Sequence, residues 1–136
     1  MTSATAARTP GARRARPDEH HFELEKLASI NRIEGGPDYS TAVGACIEGD
    51  RMMVALMRMP AGTGAEPHSH PNEQWIYIVE GTFAGNVGGR DVTAKAGSVV
   101  YIPANVVHSG KATPEADVVF FTAKDTSHSL HGIKAG

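Results

Sequence analysis

Residues 68–74 read His-Ser-His-Pro-Asn-Glu-Gln and place two histidines two positions apart. Side chains alternate between the two faces of a β-strand, so His68, His70 and Gln74 would share one face if this stretch is extended. Burying two imidazoles side by side without a partner is costly, whereas neutral imidazole is a common metal ligand. The stretch therefore predicts a metal site, whose ligands would share one face if this part of the chain is extended.

The rest of the sequence is typical of an all-β domain. Its 136 residues include 15 glycines and 8 prolines spread along the chain, which favours many tight turns between short elements. Apolar segments between turn residues predict strands at 41–47, 51–59, 74–80, 82–87, 91–95, 98–102 and 117–123. This number of strands in so short a chain favours a closed or nearly closed antiparallel barrel.

The pattern also predicts which strands are buried and where a helix lies. Strands 74–80 and 117–123 are apolar at most positions of both faces, so both faces are expected to be buried. Residues 22–33 have a loose helical pattern that the turn sequence beginning at Gly35 would end.

The N-terminus differs in composition from the rest of the chain. Residues 1–17 contain alanine, threonine and arginine and no large apolar residue after Met1, which predicts a disordered leader. An organelle transit peptide has the same composition, so that alternative stays open. Residues 18–136 are then expected to form a single domain. Cys46 is the one cysteine, which favours a buried apolar role and a reducing, cytoplasmic location.

The charge of the chain excludes one class of partner. The formal net charge is −2, but four arginines lie before the first acidic residue, Asp18. Without them the remaining chain has nine basic and fifteen acidic residues, a net of −6. Such a surface repels nucleic acid, so we expect no nucleic-acid partner. No apolar run approaches the length of a membrane span, so we expect no membrane partner either.

Two spaced motifs resemble the two sequence motifs of the cupin family. The first is Gly62-x5-His68-x-His70-x3-Gln74-x6-Gly81, and the second is Gly97-x5-Pro103-x-Asn105-x2-His108. The resemblance covers about residues 50–123 and implies a jelly-roll barrel of antiparallel strands that binds one divalent metal ion. The ligands that it implies are His68, His70, Gln74 and His108.

Three positions depart from the family pattern. Gln74 stands where glutamate is usual, Asn105 where glycine is usual, and Ala112 where asparagine often closes the second motif. Glu73 competes with Gln74 as a ligand because carboxylates are preferred. The alternation of a strand favours Gln74 and leaves Glu73 for a surface hydrogen bond. Four neutral ligands would leave the metal a stronger Lewis acid, and they do not distinguish among zinc, nickel, manganese and iron.

Other side chains are candidates for lining the site. Arg58 could hold a substrate carboxylate if it faces the cavity, or could lie on the surface. Lys124 and His131, with Asp125 and His128, belong to a C-terminal stretch that could cover the barrel mouth and supply a general acid or base. The alternative is a solvated edge segment in which Asp125 caps a short turn. Ile76 and Ile78 would form an apolar floor.

The resemblance implies a range of activities. Small cupins with this motif are similar to uronate-linearising and polyketide-cyclising enzymes, which implies a small oxygen-rich substrate. We therefore expect a metal-dependent lyase, isomerase or cyclase, acting by ring opening, isomerisation, cyclisation, decarboxylation or elimination. The alternatives are an iron-dependent dioxygenase and a ligand-binding cupin with a structural metal. A homodimer is expected because cupins of this size often pair and because residues 41–47 would form an exposed edge strand.

Overall fold

The computed structural model describes residues 8–135, and nearly all its regular structure is β. The elements of the first half are β1 (Arg13–Arg14), α1 (Leu24–Ile30), β2 (Ile33–Glu34), β3 (Val43–Glu48), β4 (Met52–Met59) and β5 (Gly64–Ser69). Those of the second half are β6 (Gln74–Glu80), β7 (Thr82–Val87), β8 (Arg90–Lys95), β9 (Val99–Ile102), β10 (His108–Ala112), β11 (Val118–Asp125) and β12 (Ile133–Lys134).

Two sheets form the jelly-roll barrel, and their inner faces share one core. The first has the order β1-β3-β4-β11-β6-β9, with β2 also paired to β3, and the second has the order β12-β5-β10-β7-β8. All pairs are antiparallel except β1 with β3. The predicted all-β class and barrel architecture are confirmed.

The alternation along β4 and β6 decides which side chains face the core. On β4 the buried set is Met53, Ala55, Met57 and Met59. On β6, Ile76 and Ile78 point inward as predicted, but the opposite face is open to solvent. Trp75 and Tyr77 there are 50% and 46% exposed, so the expectation that both faces of this strand are buried is wrong.

The turns that flank the first motif have a backbone geometry that favours glycine. Gly62 and Gly81 have φ values of +74° and +81°, which side chains other than glycine rarely tolerate. Asn105 has a φ of 67°, and asparagine is among the few residues enriched in that region. The departure from glycine at position 105 is therefore compatible with the same turn.

Residues 8–17 are ordered against the barrel, contrary to the expected leader boundary at residue 17. Thr9 is buried, and its backbone N–H donates to the Glu48 carboxylate at 2.9 Å. Arg8 donates to the carbonyl of Gly49 at 2.7 Å, and β1 pairs with β3. The sequence could not show this because the partners lie about forty positions away. Residues 1–7 of the expected leader lie outside the described residues.

The pairing of β3 corrects another expectation. This strand has β4 on one side and β1 and β2 on the other, so it is not the exposed edge that was predicted at 41–47. The single helix of the described range is also shorter than predicted. It covers Leu24–Ile30 rather than residues 22–33, and it ends there because Asn31 takes an extended conformation. No helix between residues 8 and 135 is long and apolar enough to cross a membrane.

Two strands that carry functional side chains were absent from the predicted set. The sequences of β5 (GAEPHS) and β10 (HSGKA) have little apolar alternation. They are strands because they pair with each other, with His68 directly opposite His108. Such pairing between distant segments leaves no local signal in the sequence.

Candidate metal centre

Three histidines and one glutamine converge between the sheets. His68 on β5 and His108 on β10 are register partners, with ring centroids 4.1 Å apart. His70 lies just after β5, in the turn that crosses to the other sheet, where Gln74 begins β6. The residues therefore share one site although they do not share one strand. The expectation that His68, His70 and Gln74 lie on one face of a single extended stretch is wrong. All four side chains are buried.

Each ring is held by a hydrogen bond from Nδ1 to a backbone carbonyl. A carbonyl oxygen can only accept, so each Nδ1 carries a hydrogen and each neutral ring leaves a lone pair on Nε2. The pairs are His68 with Glu66 at 2.7 Å, His70 with Asn72 at 2.7 Å, and His108 with Val106 at 2.9 Å.

Burial keeps these rings neutral. Desolvation, followed by repulsion from His108, lowers the pKa of His68 to about 4. Desolvation, followed by repulsion from Lys124, lowers the pKa of His70 to about 3. Desolvation likewise lowers the pKa of His108. At neutral pH all three Nε2 atoms are therefore unprotonated acceptors.

The site leaves these acceptors without protein donors. One ring nitrogen from each histidine lies within 4.8 Å of those of the other two. Within the described part of the chain, His108 Nε2 is buried with no hydrogen-bond partner. A buried acceptor without a partner is destabilising, and a cation that accepts several lone pairs removes that cost.

Gln74 turns its oxygen toward the histidines. Its Nε2 donates to Thr122 Oγ1 at 2.8 Å, and Thr122 in turn donates to the carbonyl of Trp75 at 2.8 Å. The side-chain Oε1 then lies 3.0 Å from His70 Nε2. Two lone pairs that face each other at this distance repel unless a cation lies beside them. The donor set therefore fits a divalent metal ion of the kind that imidazole and amide oxygen ligate.

Glu73 has the role predicted for it on the surface. Its Oε1 accepts a hydrogen bond from the Tyr101 hydroxyl at 2.7 Å on the outer face of the sheet. The carboxylate thus ties β6 to β9 and lies away from the buried histidines.

A cavity of about 60 Å³ adjoins the histidines. His68, His108, Gln74 and Lys124 line it together with a mostly apolar wall. That wall includes Met57, Met59, Ile76, Phe83, Phe120 and Leu130. The site thus combines potential metal ligands with a small cavity whose lining is mostly apolar.

Lys124 is the candidate from the C-terminal stretch that faces this cavity. It lies on β11 as the register partner of Gln74 and is 3% exposed. Its Nζ donates to the carbonyl of Leu130 at 2.6 Å. Burial lowers the pKa of Lys124 to about 7, with weak opposing contributions from Cys46 and Asp125.

The other candidates lie outside the cavity. Arg58 is on the outer face of β4, where it pairs with Asp117 at 3.0 Å, so it does not face the cavity. His131 lies near the carbonyl of Glu34, with Nε2 at 2.8 Å, and does not line the cavity. Asp125 accepts from the backbone N–H of Ser127 at 2.9 Å and caps a turn.

Three supporting residues were not identified from the sequence. Asn72 is fully buried and donates from its side chain to the carbonyls of Asp125, His128 and Ser129. Tyr39 stacks on His68 with ring centroids 4.2 Å apart and accepts from the backbone N–H of Gly132 at 2.7 Å. Both contacts join residues that lie more than twenty positions apart. Thr122 could have been found, because it shares the inward parity of Lys124 on β11.

Comparison with known proteins identifies one family and two relatives that match over part of their length. The family model of the cupin domain matches residues 55–124. An oxalate-binding protein of Thermotoga maritima is 35% identical over 71 residues, covering 50% of this chain and 57% of that protein. The chain spans 54% and 57% of the lengths of the two curated relatives that it matches.

Solved structures extend the comparison. The crystal structure of a predicted oxalate decarboxylase from Thermotoga maritima is similar with a TM-score of 0.51 and 28% identity, covering 54% of this chain and 64% of that one. A Thermus thermophilus protein matches with a TM-score of 0.61 and 18% identity, covering 79% of this chain and 97% of that one. The second likeness concerns the fold alone.

Proposed function

The chain belongs to the cupin family, and we propose that it is a metal-dependent enzyme acting on a small oxygen-rich substrate. The proposed ligands of one divalent ion are His68, His70, Gln74 and His108. The observation that carries this proposal is the set of histidine rings whose Nδ1 atoms are all committed to carbonyls. Their Nε2 lone pairs are thereby directed into one buried space.

A bound divalent ion with four neutral ligands would act as a Lewis acid that polarises substrate oxygens. The chain's own residues orient that chemistry. The carbonyls of Glu66, Asn72 and Val106 fix the three rings, and Thr122 fixes the amide of Gln74. The apolar wall limits access of water, which strengthens electrostatic interactions within the cavity. Lys124 supplies a nitrogen that can hold a proton or donate hydrogen bonds to substrate.

The relatives support a small acid as the substrate. The Thermotoga maritima relative is named as oxalate-binding, and it is 35% identical to this chain over the matched region. Within the range left open by the sequence, we therefore favour reactions of small carboxylates, such as decarboxylation or elimination, over ring opening of large sugars.

Turnover with defined metals tests this proposal. Protein stripped with a chelator would be reloaded separately with zinc, nickel, manganese or iron and incubated with oxalate, pyruvate and oxaloacetate. We expect at least one metal to restore conversion detected by NMR, and His70→Ala to abolish it. His131→Ala is the matched control, because this histidine does not line the cavity. Conversion that is independent of metal, or equal in His70→Ala, would contradict the proposal.

A second candidate is a binding protein that holds a small acid without converting it. The name of the Thermotoga maritima relative, an oxalate-binding protein, favours this interpretation. Stoichiometric binding of the acid by the metal-loaded protein, with no product after prolonged incubation, would support it over the enzyme. The dioxygenase alternative requires consumption of O₂ by the iron-loaded protein, which an oxygen electrode measures directly.

A homodimer remains part of the proposal, but through a different surface from the one expected. One edge strand of the larger sheet is β9, and Val99 and Tyr101 on it are exposed beside Trp75 and Tyr77 of β6. Trp75 stacks on Tyr101 with ring centroids 4.5 Å apart. A contiguous apolar face with an unpaired strand edge favours association. Light scattering of the wild type and of Tyr101→Glu tests this, and a monomeric wild type would refute it.

A further inference from the structure

Lys124 gives the cavity a charge that the protein itself does not balance. Its side chain is buried on the inward face of β11, where burying an ammonium group is costly without an anionic partner. Among residues 8–135, no aspartate or glutamate lines the cavity. The carboxylate that affects the pKa of Lys124 is Asp125, which is bound by the backbone N–H groups of Ser127 and Glu73.

The hydrogen bonds of Lys124 are also incomplete. An ammonium group has three donors. In the described part of the chain, the one acceptor within hydrogen-bond distance of Nζ is the Leu130 carbonyl. The remaining donors belong to a group that lines the same cavity as His68, His108 and Gln74.

The N-terminal segment fixes the carbonyl group that accepts the hydrogen bond from Lys124 Nζ. Leu130 donates its backbone N–H to Thr9 Oγ1 at 2.7 Å, and Thr9 donates its own N–H to the Glu48 carboxylate at 2.9 Å. The acceptor that orients Lys124 is therefore fixed by two buried hydrogen bonds. A charged group that is held in place before a ligand arrives costs less to order when the ligand binds.

The size of the cavity limits the ligand. Its volume is about 60 Å³, and one water needs roughly 10–15 Å³ of such space. The cavity therefore accommodates about four to six non-hydrogen atoms. A short-chain acid fits this limit, whereas a six-membered uronic acid ring exceeds it.

We infer that this cavity binds a short-chain carboxylate, with a carboxylate oxygen accepting hydrogen bonds from Lys124 Nζ. The inference rests on the proposed function, because the same ligand would also present oxygen to the metal held by the histidines and Gln74. Lys124 thereby selects for negative charge, and the apolar wall selects for small size. Neither the larger sugar acids nor the polyketide-like substrates that the sequence left open satisfy both requirements.

Oxalate binding to zinc-loaded protein tests this assignment. Isothermal titration calorimetry would compare the wild type with Lys124→Met, and Lys95→Met is the matched control because that lysine is exposed on β8. A hydrogen bond to a charged group contributes enough for a loss of at least about tenfold in oxalate affinity. We expect that loss in Lys124→Met, an unchanged affinity in Lys95→Met, and one zinc per chain in both by elemental analysis.

The outcomes separate this inference from the proposed function. Oxalate affinity within twofold of the wild type in zinc-loaded Lys124→Met would overturn the role of Lys124 and leave the metal site standing. A wild type that holds none of zinc, nickel, manganese and iron would overturn both proposals. Lys124→Gln provides a second variant if Lys124→Met does not fold.

Two further ligands test the selectivity on the wild type alone. We expect the neutral diamide oxamide and the larger galacturonate to bind at least tenfold more weakly than oxalate. Equal binding of oxamide would overturn the selection for charge, and equal binding of galacturonate would overturn the selection for size. Zinc-loaded wild type that binds no oxalate would overturn the inference altogether.

Discussion

Thr122 accepts a hydrogen bond from the side-chain amide of Gln74 at 2.8 Å, and its own hydroxyl donates a hydrogen bond to the carbonyl of Trp75. Since the hydroxyl hydrogen of Thr122 is committed, its oxygen must accept, and the NH₂ group of Gln74 must face it. The amide oxygen is thereby presented to the histidines. One hydroxyl thus determines whether Gln74 offers an oxygen ligand or a nitrogen donor to the site.

Replacing Thr122 tests this orientation. Thr122→Val keeps the shape of the side chain and removes the acceptor, so Gln74 is free to rotate. Residues that orient metal ligands typically contribute 10–100-fold to metal affinity, and we expect zinc to bind at least about tenfold more weakly. Competition with a chromophoric chelator measures this affinity. Thr122→Ser retains the hydroxyl and is expected to restore it, whereas equal weakening in both variants would point to packing instead.

Asn72 is expected to anchor the C-terminal segment to the metal-binding turn. Its side chain donates to the carbonyls of Asp125, His128 and Ser129. Asn72→Ala leaves these carbonyls unpaired and should lower the free energy of unfolding by about 2 kcal/mol. Hydrogen exchange measured by mass spectrometry should increase in residues 125–131. The exposed pair of Asn86 with Asp91 provides a control, and faster exchange in Asn86→Ala to the same extent in that segment would contradict the assignment.

Lys124 is expected to lower the free energy of unfolding of the metal-free protein, because its ammonium group is buried. Its pKa is lowered to about 7 by burial, against about 10.4 for an unfolded lysine. The unfolded chain therefore binds more protons between these values, so stability rises with pH through that window and the penalty is fullest below pH 7. Lys124→Met should stabilise the metal-free protein by about 2 kcal/mol at pH 7.

Chemical denaturation at two pH values measures this effect. The stabilisation by Lys124→Met should shrink as the pH rises from 7 toward 10, because the folded lysine is already neutral in this range whereas the unfolded lysine loses its proton only near pH 10.4. Lys95→Met, at an exposed position of β8, should change the free energy of unfolding by less than about 0.5 kcal/mol. A Lys124→Met protein less stable than the wild type at pH 7 would show that the ammonium group is already compensated.

The histidine cluster should make the metal-free protein sensitive to mild acid. The pKa of His68 is lowered to about 4 and that of His70 to about 3, whereas unfolded histidine titrates near 6.5. Between those values the unfolded chain binds more protons, so stability rises with pH and is lost as the pH falls below about 6.5. We expect a loss of about 3 kcal/mol between pH 7 and pH 5.

Urea denaturation of the metal-free protein across this range measures the loss. His68→Gln should show a smaller dependence, because one of the buried rings is then absent. An unfolding free energy that is constant from pH 7 to pH 5 would mean that these rings are solvated or already protonated in the folded protein.

The parts of the fold that the sequence predicted well are those with local signals. The bounds of β6 and β7 agree with the prediction because apolar alternation is interrupted by Gly81, whose φ of +81° requires glycine. The polar strands β5 and β10 were missed, since pairing between His68 and His108 rather than side-chain pattern makes them strands. Local sequence cannot show a contact whose partner lies forty positions away.

The same distinction applies to the site. The resemblance to the cupin motifs implied that His68, His70 and His108 would meet, and the structure brings one ring nitrogen of each within 4.8 Å of the others. Arg58 and Lys124 were both candidates in the sequence, Arg58 on a strand whose inward face the parity did not show and Lys124 in a C-terminal stretch expected to follow the last strand. The direction of each strand in the barrel decided between them, placing Lys124 inside and Arg58 beside Asp117 on the outer face.

The central claim is that these buried lone pairs hold one divalent ion. Elemental analysis of purified protein after saturation with zinc and removal of free metal measures this directly, with His108→Ala as the test variant and His131→Ala as the control. Our account predicts about one zinc per chain in the wild type and in His131→Ala, and a large loss in His108→Ala. Stoichiometric zinc in His108→Ala, or none in the wild type, would contradict it.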